Sequence, residues 1–243
     1  MSRNVIPVFR RLFNLIYPRR CPICHEVVSQ GEGLACQACQ ERLTYIREPF
    51  CTKCGKPLEG MKDREYCDSC QKRAHSFDRG RALLCYDDCV RQSIAAFKYH
   101  GRREYREFYA REMAKGFYEL ALRWQPEALI PIPLHASRKR KRGYNQAELV
   151  ARELGRLWGV PVDTGLLRRR KKTLPQKQLN ERQRRENLKA AFFILADKVK
   201  YKTVILIDDI YTTGSTMDAA ARILKEKGVR KVYFLCISIG SGR

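Results

Sequence analysis

The sequence predicts an α/β fold, a parallel sheet flanked by helices, with a small cysteine-rich domain in front of it. Three observations carry this. Val204-Ile205-Leu206-Ile207 is an unbroken apolar run, as expected of a strand buried on both faces of a parallel sheet. It ends in Asp208-Asp209, passes through a small hydroxyl-rich turn, and continues into Met217, Ala220, Ala221 and Leu224 at helical spacing, with Gly228 as a C-cap. Eight of the eleven cysteines fall in four CxxC pairs before residue 71.

The N-terminal stretch Val5 to Tyr17 is apolar but interrupted by Arg10 and Arg11 and has no small-residue cleavage site, so it reads as a helix docked on the protein rather than a signal peptide. The pairs follow: Cys21/Cys24, Cys36/Cys39, Cys51/Cys54 and Cys67/Cys70. Each CxxC sets two thiolates on one knuckle, and two knuckles complete a tetrahedral zinc site, so eight thiolates serve two structural Zn²⁺. Sequential and cross-braced pairing both remain open. Gly55 suits a knuckle's positive φ. The region has no long apolar run, so zinc is expected to supply much of its folding energy. This module spans 1–75, and residues 76–243 form the larger domain. Cys85, Cys89 and Cys236 read as buried structural thiols.

In the larger domain Arg81 to Tyr86 is a strand, and Asp87 caps a helix carrying Val90, Ile94 and Phe97. One long helix follows, striped by Tyr105, Phe108, Tyr109, Met113, Phe117, Leu120, Ala121 and Trp124. Ala128 to Leu134 is a buried strand running into a loop with five consecutive bases, Arg138 to Arg142; Asn145 then opens a helix. Loops at the carboxyl ends of parallel strands are where α/β folds bind ligands. Val160 to Val162 starts a short strand. A basic connection from Arg168 to Asn187 has the length of a lid, and Lys231–Ile239 is the last strand.

The Asp208-to-Thr216 stretch suggests the chemistry. Amides at a helix N-terminus favour an anion, and the hydroxyls of Thr212, Thr213, Ser215 and Thr216 around Gly214 add donors. Asp208 and Asp209 can accept hydrogen bonds from a vicinal diol and help hold a divalent cation. A 5-phosphorylated ribose fits both halves. An ordinary turn with two capping acids would leave two carboxylates at the end of a buried strand without a task. The stretch closely resembles the phosphoribosyl pyrophosphate (PRPP) signature of type I phosphoribosyltransferases, and this resemblance implies that fold.

Net charge is +23, which points to a polyanionic partner. No run of about 18 apolar residues occurs, so no stable membrane insertion is expected; the expected location is cytoplasmic, with peripheral attachment to the inner face of the membrane left open.

Taken together, the tetracysteine ribbons, Phe97-Lys98-Tyr99-His100-Gly101, Pro131-Ile132-Pro133-Leu134, Arg142-Gly143-Tyr144-Asn145-Gln146, Thr173-Leu174-Pro175-Gln176, Arg185-Glu186-Asn187 and the Asp208-Asp209 signature resemble the ComF family, ComFC-type competence proteins most closely, over nearly the whole chain. Tyr144 stands where that family commonly has Phe. The resemblance implies DNA uptake during natural transformation, with internalised single-stranded DNA as the polymer and a ComFA-like helicase as protein partner. It implies that Asp208 and Asp209 bind the ribose hydroxyls and the Mg²⁺ environment, and that Thr212 to Thr216 hold the 5′-phosphate. Lys98, Arg140 and Arg142 are further candidate PRPP contacts, and Gln176, Lys177, Arg182 and Arg185 belong to a mobile catalytic loop. If the protein is an enzyme, it displaces pyrophosphate from C1 of PRPP onto an unknown acceptor. Nothing in the sequence looks like a nucleobase pocket, which counts against plain salvage. The competing readings are a PRPP-binding clamp on DNA and a zinc-ribbon adaptor for the helicase.

Overall fold

A computed structural model of the chain describes residues 18–29, 33–58, 60, 64–169, 191–195 and 197–240. The expected N-terminal helix and the loop residues Gln176, Lys177, Arg182 and Arg185 lie outside these.

Four parallel strands form the sheet: β1 (Arg79–Cys85), β2 (Ala128–Pro131), β5 (Thr203–Tyr211) and β6 (Lys231–Ile239), in the order β1-β6-β5-β2. Val204, Ile205, Leu206 and Ile207 are all fully buried at its centre. Successive residues serve opposite faces. Ile205 and Ile207 pack on one side with α3 (Asp88–Tyr99), α4 (Tyr105–Gly116) and α7 (Gln146–Trp158). Val204 and Leu206 pack on the other with α8 (Ser215–Glu226). A two-residue antiparallel pair, β3 (Arg168–Arg169) with β4 (Phe192–Phe193), flanks the α8 side.

Asp87 caps α3 by accepting from the Val90 amide at 2.8 Å, and Asn145 caps α7 by accepting from Ala147 at 3.2 Å, as the sequence suggests. Two expectations are corrected. The helix after residue 104 is two helices: α4 stops at Gly116 and α5 (Tyr118–Trp124) restarts after Phe117. A Cβ on Gly116 would sit 3.0 Å from the Leu83 side chain, so the glycine that lets β1 pack there also weakens the helix. The basic stretch after β2 is a short helix, α6 (Ala136–Arg142), begun at His135 and ended by Gly143 at φ 78°.

The cysteine module contains two short helices, α1 (Gln37–Glu41) and α2 (Asp68–Lys72). Its two halves dock on opposite faces of the sheet: Cys21 and Cys39 join the apolar layer of α3 and α4, whereas Cys51, Cys54 and Cys67 join that of α8. The segment between the halves lies along the free edge of β1, through Ile46 N–H to Leu83 O (3.0 Å) and Cys85 N–H to Thr44 O (2.9 Å). That covers an edge otherwise open to pairing with other chains.

Candidate functional site

β5 delivers two consecutive carboxylates at its carboxyl end. By strand alternation, Asp209 lies on the α3 side and Asp208 on the α8 side. Asp209 is 9% exposed and accepts from Lys98 Nζ at 2.7 Å. Lys98 is aimed by its neighbours. Tyr144 Oη and Gln146 Nε2 both donate to the carbonyl of Phe97, the latter at 3.2 Å, and Asn145 Nδ2 donates to Ile132 O at 2.9 Å. The residues 97–101 and 142–146, distant in sequence, thus form one hydrogen-bonded unit that ties the end of α3 to the end of β2.

Asp208 accepts from the amide of Asp209 at 2.9 Å. Burial, reinforced by the Asp209 charge, raises its carboxyl to about 7 against the pull of Lys98 and Arg169. Arg169 is a site residue that sequence reading passed over. It lies at the end of β3, close enough to Asp208 and Arg138 to feel their charges, and its Nε is buried without a hydrogen-bond partner among the described residues. It stood inside the basic connection from Arg168 to Asn187, where nothing in the sequence set it apart from the bases around it.

Beyond Tyr211 the chain turns through Thr212 to Gly214, and α8 begins at Ser215. Gly214 has φ 77°, and a Cβ there would stand 2.4 Å from the Tyr211 hydroxyl, so the tight turn needs glycine. The N-cap residue of α8 is Gly214, which has no side chain to cap it; Thr213 Oγ1 accepts from the Ser215 amide only at 3.5 Å and bonds Ser215 Oγ at 2.9 Å, and Thr212 and Thr213 are exposed. Helix-start amides with hydroxyls around them make this turn a candidate anion cradle.

Basic groups crowd the rim. Arg138, Lys139, Arg140 and Lys141 are exposed on α6. Arg142 does not extend with them: it bonds Gln146 Oε1 and stacks its guanidinium 5.0 Å over Tyr99, itself 68% exposed. Arg103 lies 4.8 Å from the Tyr144 ring. Phe77 is fully buried and Tyr45 donates to Glu112 at 2.6 Å, whereas Tyr99 is exposed beside this rim.

The cysteines form two sequential clusters, Cys21/Cys24/Cys36/Cys39 and Cys51/Cys54/Cys67/Cys70, with the sulfurs of each within 4.8 Å of one another. Cys24–Cys36, Cys21–Cys36 and Cys54–Cys67 sulfurs are 3.8, 3.7 and 3.7 Å apart. Tetrahedral bonds of about 2.3 Å to one ion separate sulfurs by about 3.8 Å, so both clusters fit structural zinc. Hydrogen bonding with Cys54 holds the Cys51 thiol far below its usual range, and the same bond pushes Cys54 up to about 12. Four thiols this close ionise together only around a cation.

Comparison with known proteins agrees with this geometry. Residues 109–239 match the family model described as phosphoribosyl transferase domain, and residues 12–71 match the double zinc ribbon domain. The class is a phosphoribosyltransferase fold joined to a double zinc ribbon. Competence protein F of Haemophilus influenzae is 32% identical over 221 residues, covering 88% of this chain and 93% of that one. Competence protein ComFC of Bacillus subtilis is 30% identical, over 79% of this chain and 78% of its own. DNA utilization protein YhgH of Escherichia coli K12 is 27% identical, over 92% and 98%. The chain belongs to the ComF family.

Proposed function

We propose that this chain binds PRPP with Mg²⁺ at the end of β5 and handles internalised single-stranded DNA during natural transformation. The observation that carries the reading is the paired carboxylates of Asp208 and Asp209 set beside the hydroxyl-rich turn opening α8. The turn supplies donors for a 5-phosphate, and the carboxylates supply acceptors for ribose hydroxyls and oxygen ligands for Mg²⁺. Among the described residues, Lys98, Arg169 and the bases of α6 are candidate cations for a pyrophosphate bound there. The DNA half is supported by the exposed bases of α6 beside the Arg142–Tyr99 stack, which offer phosphate contacts and a surface for one base, and by the printed names of the relatives. A ComFA-like helicase as partner and a cytoplasmic location belong to the same reading.

A second reading, an active Mg²⁺-dependent transferase, is favoured by one observation: Asp208 is held near neutrality, where a carboxyl can exchange a proton. In that reaction the C1–oxygen bond to pyrophosphate breaks, a bond from C1 to the acceptor forms, and the acceptor's proton passes to Asp208. Mg²⁺ and the basic groups would stabilise the leaving pyrophosphate.

Calorimetry of PRPP with Mg²⁺ on the wild type and on Asp208→Ala/Asp209→Ala tests the site. Binding by the wild type that the double variant loses is the expected result; no binding by the wild type refutes the reading. Pyrophosphate release only on addition of single-stranded DNA would select the enzyme over the clamp.

A further inference from the structure

The two zinc clusters have different neighbours. The first packs with α3 and α4, and His25 Nδ1 there meets Tyr105 Oη at 2.8 Å. The second is built into the underside of the anion cradle. Tyr211, the residue that enters the cradle, is 5% exposed and stacks flat on Phe234 at 4.8 Å, and Phe77 meets both rings edge-on, at 6.3 and 4.9 Å. Cys51, Cys54 and Cys67 belong to the same apolar layer. Gly80 N–H bonds Lys53 O of the knuckle at 2.8 Å, and a Cβ on Gly80 would collide with the Phe234 ring, so the knuckle, β1 and the aromatic stack leave no slack.

The segment leaving the second cluster then reaches the first turn of α8. Asp218 is 8% exposed there, four residues past Gly214. It accepts from His75 Nδ1 at 2.7 Å, from the Ser76 amide at 2.8 Å and from Arg73 at 3.1 Å. His75 is held in place by stacking on Phe77 at 4.7 Å, with its side chain fully buried. A carboxylate in the first turn of a helix whose N-terminus receives an anion repels that anion unless its charge is matched. Arg73 supplies the matching charge, and His75 and Ser76 occupy the oxygens.

We infer that Arg73, His75 and Ser76 form a latch by which the second zinc ribbon positions the phosphate-binding turn and masks Asp218, so that anion affinity depends on the second cluster and not on the first. This rests on the reading of Thr212 to Thr216 as a phosphate site. Arg73, His75 and Asp218 are positioning residues.

The test uses the full-length, zinc-loaded protein, with ribose 5-phosphate affinity by calorimetry and amide hydrogen exchange over 212–218 as separate readouts. Arg73→Ala/His75→Gln should weaken ribose 5-phosphate about tenfold and speed that exchange. Adding Asp218→Asn should restore most of the affinity while the exchange stays fast, because the charge is gone but the contacts are still missing. Cys70→Ser, checked for one remaining zinc and an intact far-ultraviolet spectrum, should reproduce the latch variant; Cys24→Ser should change neither readout. If Cys70→Ser does not fold, Arg73→Ala alone, at a partly exposed side chain, carries the test. Unchanged exchange in the Arg73 and His75 variants overturns the latch. Failure of the wild type to bind ribose 5-phosphate instead overturns the phosphate reading, and the exchange data still decide whether the ribbon holds the turn.

Discussion

At Asp208 the fold keeps a proton that an exposed carboxyl would have lost three pH units earlier. The folded value is raised to about 7 by burial and by Asp209, so between about pH 4 and pH 7 the folded chain binds a proton there that the unfolded chain does not. Stability therefore falls as pH rises through that window and is level in this respect above it. Without Mg²⁺, Asp208→Asn should change the unfolding midpoint little at pH 4, where both states hold the proton, and raise it at pH 8. The gain is at most about 4 kcal/mol, at about 1.4 kcal/mol per pH unit. Urea unfolding at the two pH values measures it. Equal effects at both would mean that Asp208 is ionised throughout in the folded protein. Asn keeps the shape but not the charge, so a stabilised protein with weakened PRPP binding is the expected pair of results: the site holds this carboxylate at a cost in stability.

Among the elements, α6 best separates backbone-directed DNA binding from site binding. Lys139 and Lys141 are exposed on it. For a single strand, log affinity falls against log salt with a slope of about −0.7 per phosphate neutralised. Lys139→Gln/Lys141→Gln should therefore flatten the salt dependence of oligodeoxythymidine binding by about 1.4, measured by fluorescence anisotropy, and leave the fold intact. An unaltered slope would move the DNA path off α6. This helix also shows where sequence reading stops. The strands of the main sheet were legible because burial on both faces leaves apolar runs, and the turn after β5 stood out by its residue types, whereas the short strand expected from Val160 is a single bridge between Val162 and Leu129. The helix at 136–142 carries five bases and no apolar stripe, so it had no periodicity to read. β3 and β4 are two residues each, too short for any pattern. His75 and Asp218 meet across 143 positions, and the Lys98–Asp209 pair spans 111. Lys98 was singled out by its motif, but its partner became visible only once the sheet had brought α3 beside β5.

Over the whole molecule, the sheet separates two apolar layers, and each takes one zinc cluster into its margin. The ribbons have little interior of their own: Ile23, Val28, Leu43 and Leu58 are buried, but within layers whose bulk comes from α3, α4, α7 and α8. The converse also holds. Residues 44–46 cover the β1 edge, and Lys53, Gly55 and Phe50 lie against Gly80 and Arg81, with the Arg81 guanidinium 4.2 Å from the Phe50 ring. Removing 1–75 would uncover an edge strand and apolar groups on both faces of the sheet, while β5 and the turn after it stayed formally complete. Fragment 76–243 should therefore express as an aggregating protein, or unfold well below the temperature of the zinc-loaded full chain, by differential scanning fluorimetry beside size-exclusion chromatography. A monodisperse fragment melting with the full chain would mean that the ribbons are appendages serving partners alone. Chelation of zinc from the intact chain provides the control. If the ribbons act as cover, losing the metal should expose the same surface and lower the midpoint in the same direction as losing the segment.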